Sequence, residues 1–125
     1  MSDRIYIDRE LPPYLAELFD DSWEVAGPDM AELPTCLGAI AGSSRWDAER
    51  MDEAPDLKVI SRSGIGFDTV DLDAAVQRGI VVCNTPDAPT ISTAEHTMSL
   101  LMAATKFTAS NVARLRQGRQ DFYAA

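Results

Sequence analysis

The sequence holds little from which to build a metal site: a single histidine, His96, and two cysteines, Cys36 and Cys83, far apart along the chain. Metal ligands come in clusters, and no such cluster can be read here. Basic residues are not in excess either. Twenty acids against 11 lysines and arginines leave a net charge of −9 at pH 7. That balance argues against nucleic acid or an anionic membrane surface as a partner. No apolar run approaches the roughly 20 residues of a membrane span, and no signal-peptide pattern opens the chain. Met1-Ser2-Asp3-Arg4 leads directly into a strand pattern, so a cytoplasmic location is the expectation. In that reducing compartment Cys36 and Cys83, each in or beside an apolar run, read as buried free thiols and not as a disulfide. Repeats and low-complexity tracts are also missing.

What is present suits one soluble globular domain with a real core: 125 residues, 46% hydrophobic and 25% charged. The charge is uneven. Residues 1–95 hold 19 acids and 7 bases, whereas residues 96–125 hold Lys106, Arg114, Arg116 and Arg119 against Asp121 alone. The tail therefore faces different surroundings from the body.

Five apolar stretches read as strands: Arg4–Asp8, Trp23–Ala26, Leu37–Ala41, the run from Leu57 through Ile60, and Ile80–Cys83. Between them lie helical patterns. Pro12-Pro13 opens one that runs to about Asp20, because proline tolerates the first turn. Met30–Leu33 is a helical turn stopped by Pro34. Asp47–Ala54 and Leu72–Arg78 come next, the latter closed by Gly79. Strands that alternate with helices and are apolar on both faces predict a parallel sheet with helices on each side. Right-handed crossovers then give a flavodoxin-like α/β layout of five strands.

The last helix carries a strong local signal. Ser92-Thr93-Ala94-Glu95 fits a capping box. Ile91, Ala94, Met98, Leu101, Thr105, Thr108, Val112 and Leu115 keep an alternating three-four spacing, and Leu100, Met102, Ala103, Ala104 and Phe107 widen the apolar surface. The pattern predicts one helix of about 25 residues, or about 37 Å. A helix apolar on most sides must be buried on most sides, so part of it calls for a partner that the first 90 residues do not supply.

The chemistry centres on Leu57 to Asp71. A strand breaks there into Ser63-Gly64-Ile65-Gly66, where glycine lets a bound group approach the backbone. Asp68 and Asp71 suit turns and a helix cap. Such a strand–loop–helix is a ligand edge in open α/β sheets, although a tight turn without a ligand has the same residues. Gly64-x-Gly66 does not complete a dinucleotide fingerprint, since the third glycine would fall on Thr69. A loop of backbone amides beside Arg62 remains, suited to a small carboxylate or phosphate. Glu95 and His96 point about 100° apart on a helix and cannot work as a dyad. A phospho-receiver domain needs an aspartate after the third strand and a lysine after the fifth. This chain has Ala41-Gly42-Ser43 and Asn84-Thr85-Pro86 there, which excludes that reading.

Leu57 through Asp71, then Gly79-Ile80-Val81-Val82-Cys83-Asn84-Thr85-Pro86, then Thr93-Ala94-Glu95-His96-Thr97 resemble the D-isomer-specific 2-hydroxyacid dehydrogenases in order and spacing. The match is close over residues 55–105. The resemblance implies that residues 1–89 are the first segment of a flavodoxin-like substrate domain, and that residues 90–125 are a long joining helix with the start of an inserted NAD-binding domain. By resemblance, the backbone amides of Ser63, Gly64 and Ile65 hold a small carboxylate substrate, with Arg62 helping where a second anionic group is bound. Ile65 and Thr93 line the nicotinamide side, while Asn84 and Asp68 tie loops at the sheet edge.

The function implied is the substrate-binding part of an NAD- or NADP-dependent oxidoreductase interconverting a D-2-hydroxy acid and its 2-oxo acid. The complete enzyme would be a homodimer. The family's dinucleotide fingerprint and its catalytic arginine, glutamate and histidine would lie beyond Ala125, so no catalytic residue is assigned, Glu95 and His96 are not that pair, and no turnover is expected of this chain alone. The alternative from another class is a non-catalytic interaction module that associates through the last helix.

Overall fold

A computed structural model describes residues 3–119, which fall into two compact units divided between Ala88 and Pro89. In the first unit the elements run β1 (Asp3–Ile7), α1 (Pro13–Ala16), β2 (Trp23–Ala26), a 3-10 helix (Met30–Thr35), β3 (Gly38–Ala41), α2 (Ala48–Asp52), β4 (Val59–Arg62), α3 (Leu72–Gln77) and β5 (Val81–Asn84). All five strands pair in parallel, in the order β2-β1-β3-β4-β5. This is the flavodoxin-like α/β sheet expected from the alternation of patterns.

Register explains where the core sits. Ala26, Tyr6, Ala39, Ile60 and Val82 align in one row across all five strands. Leu33 of the 3-10 helix and Cys36 just after it, Met51 of α2 and Ala54 just after it, and Ala74 and Ala75 of α3 complete that core, with Trp46 buried among them. Asp47 and Asp71 start α2 and α3 by accepting from the amides of Arg50 and Ala74, the N-cap role in which a short side chain satisfies an exposed donor. Gly79 follows α3 at φ +67°, the left-handed conformation that glycine adopts at low cost.

The adjacent row, Val25-Ile5-Gly38-Val59-Val81, points to the opposite face. Val25, Val59 and Val81 are exposed on that face. Helix α1 explains part of this. The expected helix to Asp20 ends at Ala16 and buries no residue. After it the chain tightens into i→i−3 bonds, Leu18 to Leu15 and Phe19 to Ala16. Asp20 then accepts from the Ser22 amide in a turn, so the apolar stripe of Leu15, Leu18 and Phe19 never winds onto a helical face. Pro34 lies inside the 3-10 helix and does not stop it. One cysteine departs from expectation: Cys36 is buried and burial raises its thiol pKa, whereas Cys83 is exposed on β5 at the sheet edge.

The second unit holds α4 (Thr90–Thr105) and α5 (Thr108–Arg116). The single long helix of the sequence reading is thus two, because Phe107 takes φ +52° and breaks the hydrogen-bond run. The capping box is not formed either. Helix α4 begins ahead of Ser92, whose hydroxyl donates back to the Pro89 carbonyl from inside the first turn. Neither helix buries a residue, and Ile91, Met98, Leu100, Leu101, Met102 and Phe107 are all exposed. No helix among the described residues is long and apolar enough to cross a membrane. The stretch past Arg119, expected to lead into a dinucleotide-binding domain, lies outside the described residues.

Candidate functional site

Parallel open sheets bind ligands at the carboxyl ends of their strands. Three such ends contribute here. Asp8 and Arg9 follow β1, Gly42–Ser44 follow β3, and Ser63–Gly66 follow β4. The structure brings Arg62, Ser63, Gly64 and Ile65 together in the last of these. Thr93, the other residue singled out, belongs to the second unit, in the first turn of α4.

Asp8 stiffens the edge. Both of its carboxylate oxygens accept from the Gly42 amide at 2.8 Å, and the Ser44 hydroxyl donates to it as well. Ser63 joins β4 to β3: its amide and its hydroxyl both donate to the Ala41 carbonyl, at 2.9 and 3.2 Å.

The amides of the glycine loop are not equivalent. Ser63 N–H is engaged by Ala41, and Gly64 N–H donates to the Arg62 carbonyl at 2.9 Å. Two of the three amides that the resemblance implied are therefore taken up within the chain. Beyond them the pattern inverts. The Gly64 carbonyl accepts from the Thr85 amide at 3.1 Å, and the Ile65 carbonyl accepts from the Asn84 side-chain amide at 2.8 Å. In a trans peptide the C=O and N–H point in opposite directions. Holding those two carbonyls toward the end of β5 therefore turns the N–H groups of Ile65 and Gly66 away from it. Among the described residues neither N–H has an acceptor. Two adjacent amides aimed the same way form an anion-receiving nest. Of the amides singled out from the sequence, that of Ile65 is in this position, and the Gly66 amide, not singled out there, shares it. Asn84 has the loop-tying role expected of it.

Cations flank the nest. The Arg62 guanidinium folds back over the loop, its Nη1 donating to the Ser63 carbonyl at 2.6 Å. Arg9, from the end of β1, donates from Nη2 to the Ser63 hydroxyl at 3.1 Å. Arg9 was not legible as a site residue, because its 54-residue separation from Ser63 leaves no local pattern.

A dinucleotide does not fit this loop. Its diphosphate needs a helix N-terminus, yet the helix after the loop begins only at Leu72, capped by Asp71 and carrying Asp73 in its first turn. Those carboxylates repel a phosphate at that helix start. Among the described residues no group of histidine, cysteine and carboxylate side chains could hold a metal ion.

The fold and loop define an α/β domain with two loop amides turned away from β5 at the carboxyl edge of its sheet. Comparison with known proteins identifies which: residues 7–118 match the catalytic domain of the D-isomer specific 2-hydroxyacid dehydrogenases, and the chain belongs to that family. A D-3-phosphoglycerate dehydrogenase from Mycobacterium tuberculosis is 38% identical over 118 residues, covering 88% of this chain and 22% of the relative. The crystal structure of TT0316 protein from Thermus thermophilus superposes with a TM-score of 0.81 at 36% identity, covering 92% of this chain and 40% of that one. An NADPH-dependent glyoxylate/hydroxypyruvate reductase from Sinorhizobium meliloti, in complex with NADP and malonate, superposes at 0.78 with 28% identity, covering 95% and 39%. The chain spans less than half the length of these relatives.

Proposed function

We propose that this chain is the substrate-binding part of an NAD- or NADP-dependent oxidoreductase that interconverts a D-2-hydroxy acid and its 2-oxo acid. One observation carries the reading: the peptide units 64–65 and 65–66 are held by their carbonyls, so their N–H groups face outward together. The substrate carboxylate sits on the Ile65 and Gly66 amides. Ser63 and Gly64 shape the loop, and Arg62 supplies positive charge beside it. Ile65, exposed at the loop, and Thr93 are the residues of this chain that would meet the nicotinamide. The dinucleotide itself requires groups that the described residues do not provide, as do the acid–base steps. A cytoplasmic location and a homodimer of the complete enzyme accompany this reading.

Titration of the isotope-labelled chain with glyoxylate, followed by amide NMR, tests it. The largest shifts are expected at Ile65 and Gly66. Ile65→Pro removes one donor, and a charge-assisted hydrogen bond contributes roughly 1.5–3 kcal/mol, so affinity should fall about 10- to 100-fold. Shifts centred elsewhere, or an unchanged affinity in the proline variant, would overturn the assignment.

A second reading rests on α4 and α5. Their exposed Ile91, Met98, Leu100, Leu101 and Phe107 favour a module that associates through these helices. Sedimentation should then show concentration-dependent dimers that Leu101→Glu disrupts. A monomer at high concentration rejects this reading.

A further inference from the structure

Strand β5 has β4 on one side and no strand on the other. Two hydrogen bonds fix which backbone groups face that unpaired side. The Val81 amide donates to the Lys58 carbonyl, and the Thr85 amide to the Gly64 carbonyl. The carbonyls of Ile80 and Asn84 belong to the same two trans peptides and therefore point away from β4. Alternation along a parallel ladder turns the N–H and C=O of Val82, and the Asn84 N–H, to the same side. This edge lacks the charges and prolines that keep sheet edges from pairing. No charged residue stands between Arg78 and Asp87, and no proline lies within Val81–Asn84. Val81, 64% exposed, and Cys83, also exposed, share one face of the strand. The other edge strand, β2, differs: it contains Glu24, paired with Arg4.

We infer that β5 is an interaction edge for β5 of a second copy of this chain, joined antiparallel about a two-fold axis at Val82. A copy is the occupant because the edge is complementary to itself, as an isologous contact requires. About that axis Val82 exchanges two hydrogen bonds with its counterpart, and each Asn84 N–H reaches an Ile80 carbonyl of the other copy. Val81 then faces Cys83 across the seam on both sides of the axis, an apolar pair at the close, non-hydrogen-bonded spacing. Charge points to the same place. A chain of net charge −9 repels its own copies, and the uncharged run from Gly79 to Pro86 lets two of them approach at low cost.

So small a contact belongs to the weak class of interfaces, with a Kd of about 0.1–1 mM. Sedimentation equilibrium of the intact chain from about 0.02 to 2 mM, with amide hydrogen exchange by NMR at both ends of that range, provides the test. Protection of the Val82 and Asn84 amides should rise about three- to sevenfold with concentration, as mass action dictates. The Val81 amide, bonded to Lys58, should change less. Val81→Lys sets a charge beside the seam in each copy and should return the chain to monomer. Its melting temperature should stay within about 3 °C of the native value, since Val81 is exposed. Leu101→Glu should leave this association intact. Association that survives Val81→Lys but not Leu101→Glu would belong to α4 and α5, and the proposal falls. It falls equally if the native chain is monomeric throughout the range, or if protection of Val82 and Asn84 does not depend on concentration.

Discussion

Trp46→Ala is expected to lower the melting temperature of the first unit by roughly 15–25 °C, the equivalent of about 3–5 kcal/mol. Trp46 is fully buried and is the largest side chain in the core. Its ring meets Tyr6 edge-on, with centroids 6.1 Å apart, and the Arg50 guanidinium lies over it at 4.3 Å. Burial raises the Tyr6 phenol above its ordinary pKa while the same Arg50 pulls it down, so one cation bridges two buried rings. Removing the indole opens a cavity that the short α2 cannot fill, and it deprives the guanidinium of the face it stacks on. The effect reaches the loop. Trp46 bridges Val70, its amide donating to Thr69 at 2.7 Å and its carbonyl accepting from Asp71 at 2.9 Å. Those bonds anchor the segment between the anion nest and α3. Calorimetry checks the stability, and a melting point within about 3 °C of the native chain would show that Trp46 does not anchor the core.

Gly27→Ala should cost about 3 kcal/mol or more. Gly27 follows β2 at φ +103°, and a Cβ there would lie 2.3 Å from the Ile7 carbonyl oxygen and 3.2 Å from the Tyr6 ring. The first neighbour is backbone of a central strand and cannot step aside. Gly27 also donates to Glu32 at 2.7 Å, which ties β2 to the 3-10 helix. Gly79 provides the control, since it too has positive φ, +67°, but a Cβ there meets nothing within 4 Å. Gly79→Ala carries only the left-handed penalty of about 1–2 kcal/mol. Denaturant melts of the two variants separate conformational cost from collision. Equal losses would mean that the close approach at Gly27 is not what matters.

Strand positions were legible because a buried parallel strand is a short apolar run between turn residues, as Gly38–Ala41 shows. The aspartate cap at Asp71 was legible for a similar reason: the cap and the amide it satisfies lie three residues apart. What failed depended on more than the local pattern. Ser92 to Glu95 has the residues of a capping box, yet the helix starts upstream at Thr90. The unbroken periodicity from Ile91 to Leu115 gave no sign of the break at Phe107, which has no proline or glycine to mark it. At the site, Arg62 through Ile65 stood out because glycine and arginine mark the loop. Which amides face outward could not be read. That is decided by Asn84 and Thr85, which grip the carbonyls from the far end of the next strand, and Arg9 reaches Ser63 from the first strand across β3.

The grip of Asn84 and Thr85 on the loop has a thermodynamic side. β5 is the edge strand of the sheet, and edge strands open locally more readily than central ones. The nest exists only while the end of β5 is seated, so a bound anion and a closed edge favour each other by the same free energy. Affinity is then scaled by the fraction of molecules whose edge is closed. A substitution on β5 that never touches the ligand weakens binding to the extent that it frays the strand, and anything that clamps the strand tightens binding in equal measure.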